Sequence, residues 1–378
     1  MTKKIFIAGS GGIGEAAALL IREWAEFETE IYLGDVSEEN LHEAKDFVLQ
    51  NSQKTSKVES VLMSRDGTSE EMKVAFTGCD ILLDCSPGGQ APRMARFAKD
   101  FKMHYANLTE YVAETDEIIN LTKGAETGFV LQTGLAPGFI NVLAMSLYHK
   151  FVAQFENEQI EKVGMKVGAL TAHAHQPHFY GFTWSPIGVA TEYVKPSRII
   201  RDYQITEQSA LSDRETIVIG GRRYEADLTS GGAADLPEFF SGKAKRLDYK
   251  TLRHIGHYAW IDGVIRQFPN DEDLPKKLLD KFLQEVPAVA DDFVLAHASV
   301  EGFDGKGVRR LIEKAFFVEP LQINGHFLRA IQTTTAVPLI ESAMMLLSGD
   351  YKGVILQSQI NPQKFLQGSF VSRIYKTI

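Results

Sequence analysis

The segment IFIAGSGGIG, residues 5–14, decides the fold of this chain. An apolar, strand-like run leads into glycines at positions 9, 11 and 14, and a helical pattern, EAAALLIREW, follows them. A G-x-G-x-x-G sequence between a strand and a helix is the fingerprint of a dinucleotide-binding βαβ unit, but the spacing alone is weak evidence because glycine-rich turns are common. The remaining sequence must therefore separate a phosphate-binding loop from a simple tight turn.

The bulk composition is that of a soluble globular protein, with 44% hydrophobic and 24% charged residues. A chain of 378 residues exceeds the size at which a single hydrophobic core stops growing, so we expect two domains. The formal net charge of -9 argues against a nucleic-acid-binding surface, which needs clustered Lys and Arg.

The cysteines and the N-terminal sequence bear on cellular location. Only Cys79 and Cys85 occur, too few to staple a chain of this length, which favours a reducing compartment. The sequence runs from MTKK directly into a strand-like segment, without an apolar stretch long enough for a signal peptide or a membrane span. We therefore expect a cytoplasmic protein that does not bind membranes.

Over residues 3–134, six strand-like segments alternate with helical patterns, which predicts parallel β-α-β units. Six strands with five crossovers predict an α/β, Rossmann-type doubly wound sheet. The helix after the third strand is expected to begin with a capping box of Thr68 and Glu71. The strand-like segments are KKIFIAG (3–9), TEIYLGD (29–35), KVESVLMS (57–64), CDILLDCS (79–86), KMHYANL (102–108) and FVLQTG (129–134).

Beyond this region the pattern changes to longer strand-like runs, which predicts a second, α+β domain with a mainly antiparallel or mixed sheet. The segment RETIVIGGRRYEAD (214–227) has two β-rich arms around Gly220-Gly221, a composition that suits a two-residue hairpin turn. Further strands are expected in RLDYKTLRHIGHYAW (246–260) and DDFVLAHASVEGF (291–303). A helix near the C-terminus should end at Gly349.

The glycine-rich segment has the context that dinucleotide binding requires. Gly9 permits the tight turn, Gly11 lets the backbone approach the pyrophosphate, and Gly14 lets the helix pack on the strand. Asp35, 21 residues beyond Gly14 at the end of the second strand, can accept both ribose hydroxyls of NAD and repels a 2′-phosphate. No Arg follows it, so we expect NAD rather than NADP. A doubly wound fold that keeps these glycines without a ligand is the alternative.

The loop after the fourth strand, CSPGGQ, should lie beside the nicotinamide end of the cofactor, because ligands bind at the carboxyl edge of such sheets. An ordinary strand-ending turn is the alternative interpretation. The candidate cofactor contacts are Gly9, Ser10, Gly11, Gly12, Ile13, Gly14, Asp35, Val36, Cys85, Ser86 and Pro87.

Several motifs, in order along nearly the whole chain, resemble those of the saccharopine dehydrogenase-like family, which includes saccharopine reductases, lysine 6-dehydrogenases and carboxynorspermidine dehydrogenases. The resemblance implies a homodimeric enzyme with an NAD(P) domain, residues 1–134 completed by 333–378, and a substrate and dimerisation domain, residues 135–332. The motifs are AGSGGIG (8–14), HYANLTEY (104–111), TGLAPGFINVLA (133–144), FTWSPIGVATEY (182–193), YKTLRHIGH (249–257) and TTTAVPLIESAMMLLSGDYKGVI (333–355).

The resemblance implies oxidation of a C–N bond in an amino acid, lysine or saccharopine being the leading substrates, or reduction of the corresponding imine, by hydride exchange with the nicotinamide. Two positions depart from the family pattern and leave the substrate open. Ala136 precedes Pro137-Gly138 where saccharopine reductases more often have Asp, and Asn107 replaces the Asp that is usual in the Y-x-D-x motif of the family.

Amine oxidation needs a neutral nitrogen, whereas a free alkylammonium has a pKa of ~10.4. The site must therefore desolvate the amine or supply a general base. The candidates for proton transfer are His257, with His254 beside it, Glu110 and Tyr111. For the histidines, the alternative is a satisfied structural residue in a strand.

Arg253 can hold a substrate carboxylate bidentately, with a surface charge as the alternative. Trp184 and Ser185 can wall the pocket, although an aromatic residue after a strand is as often part of the core. The full set of candidate substrate contacts is Arg253, Trp184, Ser185, Thr251, Pro137 and Gly138.

The segment TAHAHQPHF (171–179) brings His173, His175 and His178 within six residues. No nearby Cys or paired acidic residue completes a metal-ligand set, so we expect no metal and consider instead a role in substrate choice.

Two other functions remain open. Sugar-type oxidoreductases carry Glu-Lys-Pro after the fifth strand, where this chain has YANLTEYV (105–112) and its Lys195-Pro196 lies far along the second domain. A non-catalytic NAD-binding sensor is the alternative from a different class.

Overall fold

The computed structural model describes residues 2–157, 159–268 and 273–376. The chain divides into two compact units. Unit 1 comprises Met1–Phe139, Leu321–Leu328 and Gln332–Ile374, and unit 2 comprises Ile140–Pro320, Arg329–Ile331 and Tyr375–Ile378.

The first third of the chain alternates strands and helices throughout. The elements are β1 (Lys3–Ala8), α1 (Gly12–Trp24), β2 (Thr29–Asp35), α2 (Glu38–Asn51), β3 (Val58–Leu62), α3 (Glu70–Phe76), β4 (Ile81–Asp84), α4 (Ala91–Asp100), β5 (His104–Asn107), α5 (Val112–Leu121) and β6 (Gly128–Val130).

The rest of the chain is richer in long strands. Its elements are α6 (Phe139–Phe155), β7 (Ile160–Thr171), α7 (Pro186–Glu192), β8 (Ser197–Arg201), β9 (Gln204–Gln208), β10 (Glu215–Ile219), β11 (Arg222–Leu228), α8 (Leu236–Phe240), β12 (Arg246–His254), α9 (His257–Ile265), α10 (Leu274–Glu285), β13 (Asp292–Phe303), β14 (Arg309–Val318), β15 (Leu321–Ile323), β16 (His326–Leu328), α11 (Ala330–Ser348), β17 (Gly353–Ile355), α12 (Pro362–Leu366) and α13 (Val371–Ile374).

Unit 1 is built on a seven-stranded parallel sheet in the order β17-β6-β5-β4-β1-β2-β3. The chain turns from β3 back to the other side of β1, so the strand order reverses between β1 and β4, where ligands bind in doubly wound sheets. The predicted α/β fold is confirmed. The seventh strand, β17, was not predicted because three residues, GVI, are too short for a recognisable strand pattern.

The start of α3 differs by one residue from the predicted capping box. Ser69, rather than Thr68, is the N-cap, and its hydroxyl accepts a hydrogen bond from the Met72 N–H at 3.2 Å. This register places Met72 in the core, where it is fully buried. Burial of the apolar side chain thus decides between two adjacent residues that can both cap a helix.

Unit 2 contains a mixed sheet with the main order β10-β11-β12-β7-β13-β14, to which β8 and β9 add at β12. The β12–β7 pair is parallel and the other pairs are antiparallel. The predicted Gly220-Gly221 hairpin is confirmed, since Ile219 pairs with Arg222 and both glycines have positive φ, +56° and +76°. The second domain is therefore the α+β domain that the sequence predicts.

The strand predicted over residues 246–260 is shorter than expected. It ends at His254, Gly256 takes a φ of +101°, and α9 begins at His257. His257 therefore lies at a helix start and not in a strand, because the left-handed glycine turns the chain out of the sheet.

Helix α11 ends at Ser348, directly before Gly349, as predicted. Among the described residues it is the one helix long and apolar enough to cross a membrane, and most of it is buried in the structure. Such burial is typical of a core helix.

Candidate functional site

The turn between β1 and α1 in unit 1 requires two of its glycines for steric reasons. A Cβ on Gly9, whose φ is +92°, would lie 2.7 Å from the Cys85 carbonyl group, and a Cβ on Gly14 would lie 1.9 Å from the Gly9 oxygen. A Cβ on Gly11 would meet no atom within 4 Å. The turn is thus tightly packed on the protein side and open at Gly11.

The N-terminus of α1 offers backbone donors at this open position. The first helical hydrogen bond runs from the Glu15 N–H to the Gly11 oxygen at 3.0 Å, so the N–H groups of Gly12, Ile13 and Gly14 precede the helical ladder. These donors and the positive end of the helix dipole fit a pyrophosphate group.

Asp35, at the end of β2, is hydrogen-bonded into the same turn. One carboxylate oxygen accepts the Ser10 N–H at 2.9 Å and the other accepts the Ser37 N–H at 2.9 Å. A carboxylate oxygen accepts more than one hydrogen bond, so ribose hydroxyls can bind the same group. Val36 is 42% exposed beside it. The residues present therefore fit the nucleoside half of a dinucleotide.

At the end of β4, Asp84 organises the next loop. Its Oδ1 accepts hydrogen bonds from the Ser86 N–H at 3.0 Å and the Ser86 hydroxyl at 2.5 Å, and its Oδ2 accepts the Tyr105 hydroxyl at 2.7 Å. Burial raises the pKa of Asp84 to about 6, although the bonds from Ser86 and Tyr105 oppose this rise. Sequence reasoning missed Asp84. The only signal was a polar residue closing the apolar strand ILLD.

Cys85 follows Asp84 in the chain, and its backbone N–H donates to the Ala8 oxygen at 2.8 Å. Burial raises the pKa of its thiol well above the usual range, so the side chain stays protonated. Its contact with the Gly9 turn is made through the backbone. Pro87 follows in an extended conformation, before a short 3-10 turn at Gly88–Gln90.

The loop after β5 meets the loop after β4. A Cβ on Gly88 would lie 2.8 Å from the Thr109 hydroxyl and 2.9 Å from the Tyr111 ring. Burial, followed by the charges of Glu110 and Glu114, raises the pKa of Tyr111, so the phenol remains a hydrogen-bond donor. Glu110 and Tyr111 are both half-buried. The structure thus brings Tyr111, one of the candidate catalytic residues, next to the Ser86–Gly88 loop, and Glu110 directly precedes it in the chain.

Asn107, Pro137 and Gly138 belong to the backbone framework of unit 1. The side-chain Oδ1 of Asn107 accepts the Gln132 N–H at 2.8 Å, and an aspartate at this position could accept the same hydrogen bond. The Pro137 oxygen accepts the Gly134 N–H at 2.9 Å. A Cβ on Gly138 would lie 2.1 Å from the Gly134 oxygen, so only glycine fits there.

Gln332, from α11, contacts the N-terminal end of α1 within unit 1. Its side-chain amide donates to the Gly12 oxygen at 2.8 Å and to Glu15 at 3.2 Å. No sequence signal identifies this contact, because Gly12 and Gln332 are 320 residues apart.

In unit 2, Arg253 is buried, so the surface-charge alternative is wrong. Its Nη2 donates to Glu192 at 2.9 Å, its Nε donates to the Tyr193 hydroxyl at 2.6 Å, and its guanidinium lies 4.8 Å from the Tyr180 ring centroid. Burial acts to lower the pKa of Arg253, but Tyr193, Tyr180 and Glu192 hold it well above the usual value. The guanidinium already has a protein carboxylate partner, and its role as a substrate clamp stays a prediction.

His257 is fully buried beside Arg253. Its Nε2 lies 2.9 Å from the Tyr193 hydroxyl, and its Nδ1 lies 2.7 Å from the His178 oxygen. Burial and the nearby Arg253 charge lower the pKa of His257 well below its usual value. The Nε2 of His254 lies 2.9 Å from the Thr171 oxygen, and burial lowers its pKa as well.

The other candidate substrate contacts make local bonds within unit 2. The Ser185 hydroxyl caps α7 by accepting the Gly188 N–H at 3.3 Å. The Trp184 ring packs against Gly188, where a Cβ would lie only 2.4 Å from the ring. The Thr251 hydroxyl lies 2.6 Å from that of Thr229.

The exposed histidines lie close to one carboxylate. The His173 and His175 rings stack at 6.5 Å, and the His173 Nε2 lies 3.6 Å from Asp291. Within residues 2–157, 159–268 and 273–376, no three or more His, Cys, Asp or Glu side chains are grouped to bind one metal ion.

Comparison with known proteins gives matches over both parts of the chain. The family model "Saccharopine dehydrogenase NADP binding domain" matches residues 5–131, and "Saccharopine dehydrogenase C-terminal domain" matches residues 134–368. The chain is similar in structure to saccharopine dehydrogenase (L-Glu forming) from Saccharomyces cerevisiae, with 13% identity, 100% coverage of both chains and a TM-score of 0.75.

It is also similar to the homospermidine synthase from Legionella pneumophila in complex with NAD, with 11% identity, coverage of 99% of this chain and 91% of that one, and a TM-score of 0.68. At these identities the structural likeness shows the fold, while the two family models together account for nearly the whole sequence. The glycine turn, with Asp35 beside it, lies in the NAD(P)-binding domain. The chain therefore belongs to the saccharopine dehydrogenase family of oxidoreductases.

Proposed function

We propose that this protein is an NAD-dependent oxidoreductase that acts on a C–N bond of an amino acid, or reduces the corresponding imine. The observation that carries the proposal is the Asp35 carboxylate, hydrogen-bonded to the Ser10 N–H of the glycine turn in a chain of the saccharopine dehydrogenase family. Family membership supports the reaction type, and Asp35 supports the cofactor.

The preference for NAD over NADP is proposed on charge. In such turns an acid at the end of the second strand binds the ribose hydroxyls, and an anion there repels a 2′-phosphate, which supports NAD as the cofactor. Val36, Ser37, Glu38 and Glu39 follow Asp35 and supply no cation to offset that repulsion. The Legionella homospermidine synthase structure, which contains NAD, is consistent with this choice.

When bound, the nicotinamide ring would supply the hydride acceptor for the reaction. The residues of the glycine turn would hold the pyrophosphate and Asp35 the ribose, while the Ser86–Gly88 loop would border the nicotinamide. We propose that Glu110 accepts the proton of the substrate ammonium and that Tyr111 donates a hydrogen bond. The freed nitrogen lone pair then forms the C=N bond as the C–H electron pair leaves as hydride.

The proposal is tested by NADH absorbance with NAD and a panel of amino acids, including lysine and saccharopine, at alkaline pH. We expect NADH formation with at least one amino acid and tighter binding of NADH than of NADPH. Tighter binding of NADPH would overturn the Asp35 assignment. Binding of NAD without turnover of any substrate would instead support a non-catalytic NAD-binding sensor.

We also propose that the protein is a cytoplasmic homodimer that associates through unit 2. Both cysteines are free thiols, in keeping with a reducing compartment. Light scattering on the purified protein tests the assembly, and a monomeric mass across the accessible concentrations would exclude the dimer.

A further inference from the structure

The segment that joins β12 to α9, residues 253–257, contacts the loop that follows β7. This segment is called the turn below. We call residues 172–180 the histidine loop. Building on the proposed function, we propose that His257 is a positioning residue, held as the neutral Nδ1–H tautomer, which fixes the histidine loop and does not transfer protons.

The tautomer follows from the partners of the two ring nitrogens. The His178 partner of Nδ1 is a backbone carbonyl, which only accepts, so Nδ1 carries the proton of the 2.7 Å bond. The Tyr193 hydroxyl accepts the Arg253 Nε–H at 2.6 Å. The hydroxyl proton of Tyr193 is therefore available for the Nε2 of His257, 2.9 Å away. The hydrogen bonds therefore run in one direction, from Arg253 through Tyr193 to His257 and on to His178.

This arrangement removes His257 from acid–base chemistry. A general base needs a lone pair within hydrogen-bond reach of the substrate proton. The Nε2 lone pair accepts the Tyr193 proton, and the side chain is 0% exposed. Burial and the Arg253 charge both disfavour the imidazolium form.

Three consecutive residues of the histidine loop contact the turn. The His178 oxygen accepts a hydrogen bond from His257. The Phe179 ring packs against Gly256 so closely that a Cβ there would lie 2.7 Å from the ring. The Tyr180 ring centroid lies 4.8 Å from the Arg253 guanidinium. The Phe179 N–H also donates to the His175 oxygen at 2.8 Å, which closes the loop on itself. The base of the histidine loop is thus fixed, whereas the His173 side chain at the other end is 74% exposed.

The kinetic test compares His257→Gln with His257→Ala. A glutamine amide carries both a donor for the His178 oxygen and an acceptor for the Tyr193 hydroxyl, but it cannot act as a base. We expect H257Q to keep kcat/KM within about threefold of the parent and its pH–rate profile, and H257A to raise KM about tenfold or more. A loss in kcat of about 100-fold or more in H257Q, with a lost ionisation in its profile, would overturn the proposal.

Two further measurements do not depend on turnover. In nitrogen NMR of histidine-labelled protein, the resonances lost in H257Q should report a neutral Nδ1–H ring that does not titrate between about pH 5 and 8. Chymotrypsin should cleave after Phe179 or Tyr180 faster in H257A than in H257Q. An Nε2–H tautomer, a titrating ring or equal cleavage would reject the positioning role even if no amino acid is oxidised, so the two proposals fail separately.

Discussion

Asp84 and Tyr105 are joined by a 2.7 Å hydrogen bond at the carboxyl ends of the neighbouring parallel strands β4 and β5. The same carboxylate holds both the N–H and the hydroxyl of Ser86. One buried acid therefore sets the position of the loop proposed to border the nicotinamide.

We predict that Asp84 makes the folded protein less stable as pH rises through about 6. Burial raises its pKa from the ordinary 3.8 to about 6, so the folded state holds a proton that the unfolded state has lost. This contribution is complete below the unfolded pKa and is lost as pH rises through the folded one, a difference of about 3 kcal/mol.

The measurement is the free energy of unfolding against pH for the parent and for Asp84→Asn. Asparagine can accept from Ser86 and donate to the Tyr105 oxygen, while the Tyr105 hydroxyl turns to the Ala91 oxygen at 3.2 Å. The parent should lose stability relative to D84N between about pH 4 and 6. Parallel curves would contradict the prediction.

Alanine at Gly9 and alanine at Gly11 should affect different properties, the first the stability of the fold and the second the affinity for NAD. Gly9→Ala puts a Cβ 2.7 Å from backbone atoms at a φ of +92°, and we expect destabilisation of more than about 2 kcal/mol. Gly11→Ala has open space, so its stability should change by no more than about 1 kcal/mol. If the pyrophosphate binds here as proposed, the added Cβ should lower NAD affinity about tenfold. Thermal unfolding and NAD titration check both; unchanged affinity in G11A would remove the pyrophosphate from this position.

Removing the Asp35 charge should shift cofactor preference toward NADP. In Asp35→Ser we expect the ratio of kcat/KM for NAD to that for NADP to fall at least tenfold, about 1.4 kcal/mol. The matched control is Glu39→Ser, an exposed acid in the first turn of α2. An equal shift in E39S would mean that preference reflects general charge and not contact with the ribose.

Breaking the buried ion pair of Arg253 and Glu192 should cost far more than breaking an exposed one. Glu192→Leu leaves a buried guanidinium without its carboxylate, and we expect a loss of about 3–5 kcal/mol in denaturant unfolding. The double variant R253M/E192L should recover most of that loss. Glu70→Ala, which breaks the exposed pair with Lys73, should cost less than about 1 kcal/mol. Similar losses in E192L and E70A would be inconsistent with a desolvated pair.

The sequence predicts the features that rest on neighbouring residues. The first six strands of unit 1, the glycine turn and the Gly220-Gly221 hairpin follow from apolar periodicity and glycine placement, which are local properties of the chain. The position of Asp35 at the end of β2 follows from the same pattern.

The features missed depend on residues far apart in sequence. Glu192 and Arg253 are 61 positions apart, and Asp84 and Tyr105 are 21 positions apart. No periodicity reveals which carboxylate will be buried against which donor. The helix start at His257 was missed for a local reason, because the strand-like pattern runs past Gly256 and only its left-handed conformation ends the strand.

The entry of β17 and Gln332 into unit 1 has a consequence for synthesis of the chain. Residues 1–139 leave the ribosome long before the segment that pairs with β6 and the amide that binds Gly12. Until then, the outer edge of β6 has no neighbouring strand, and such unpaired edges are where partly folded chains associate. The hydrogen bond from Gln332 to Gly12 can form only after residue 332 has been made, so a chain truncated before that residue would lack both this contact and the strand that pairs with β6.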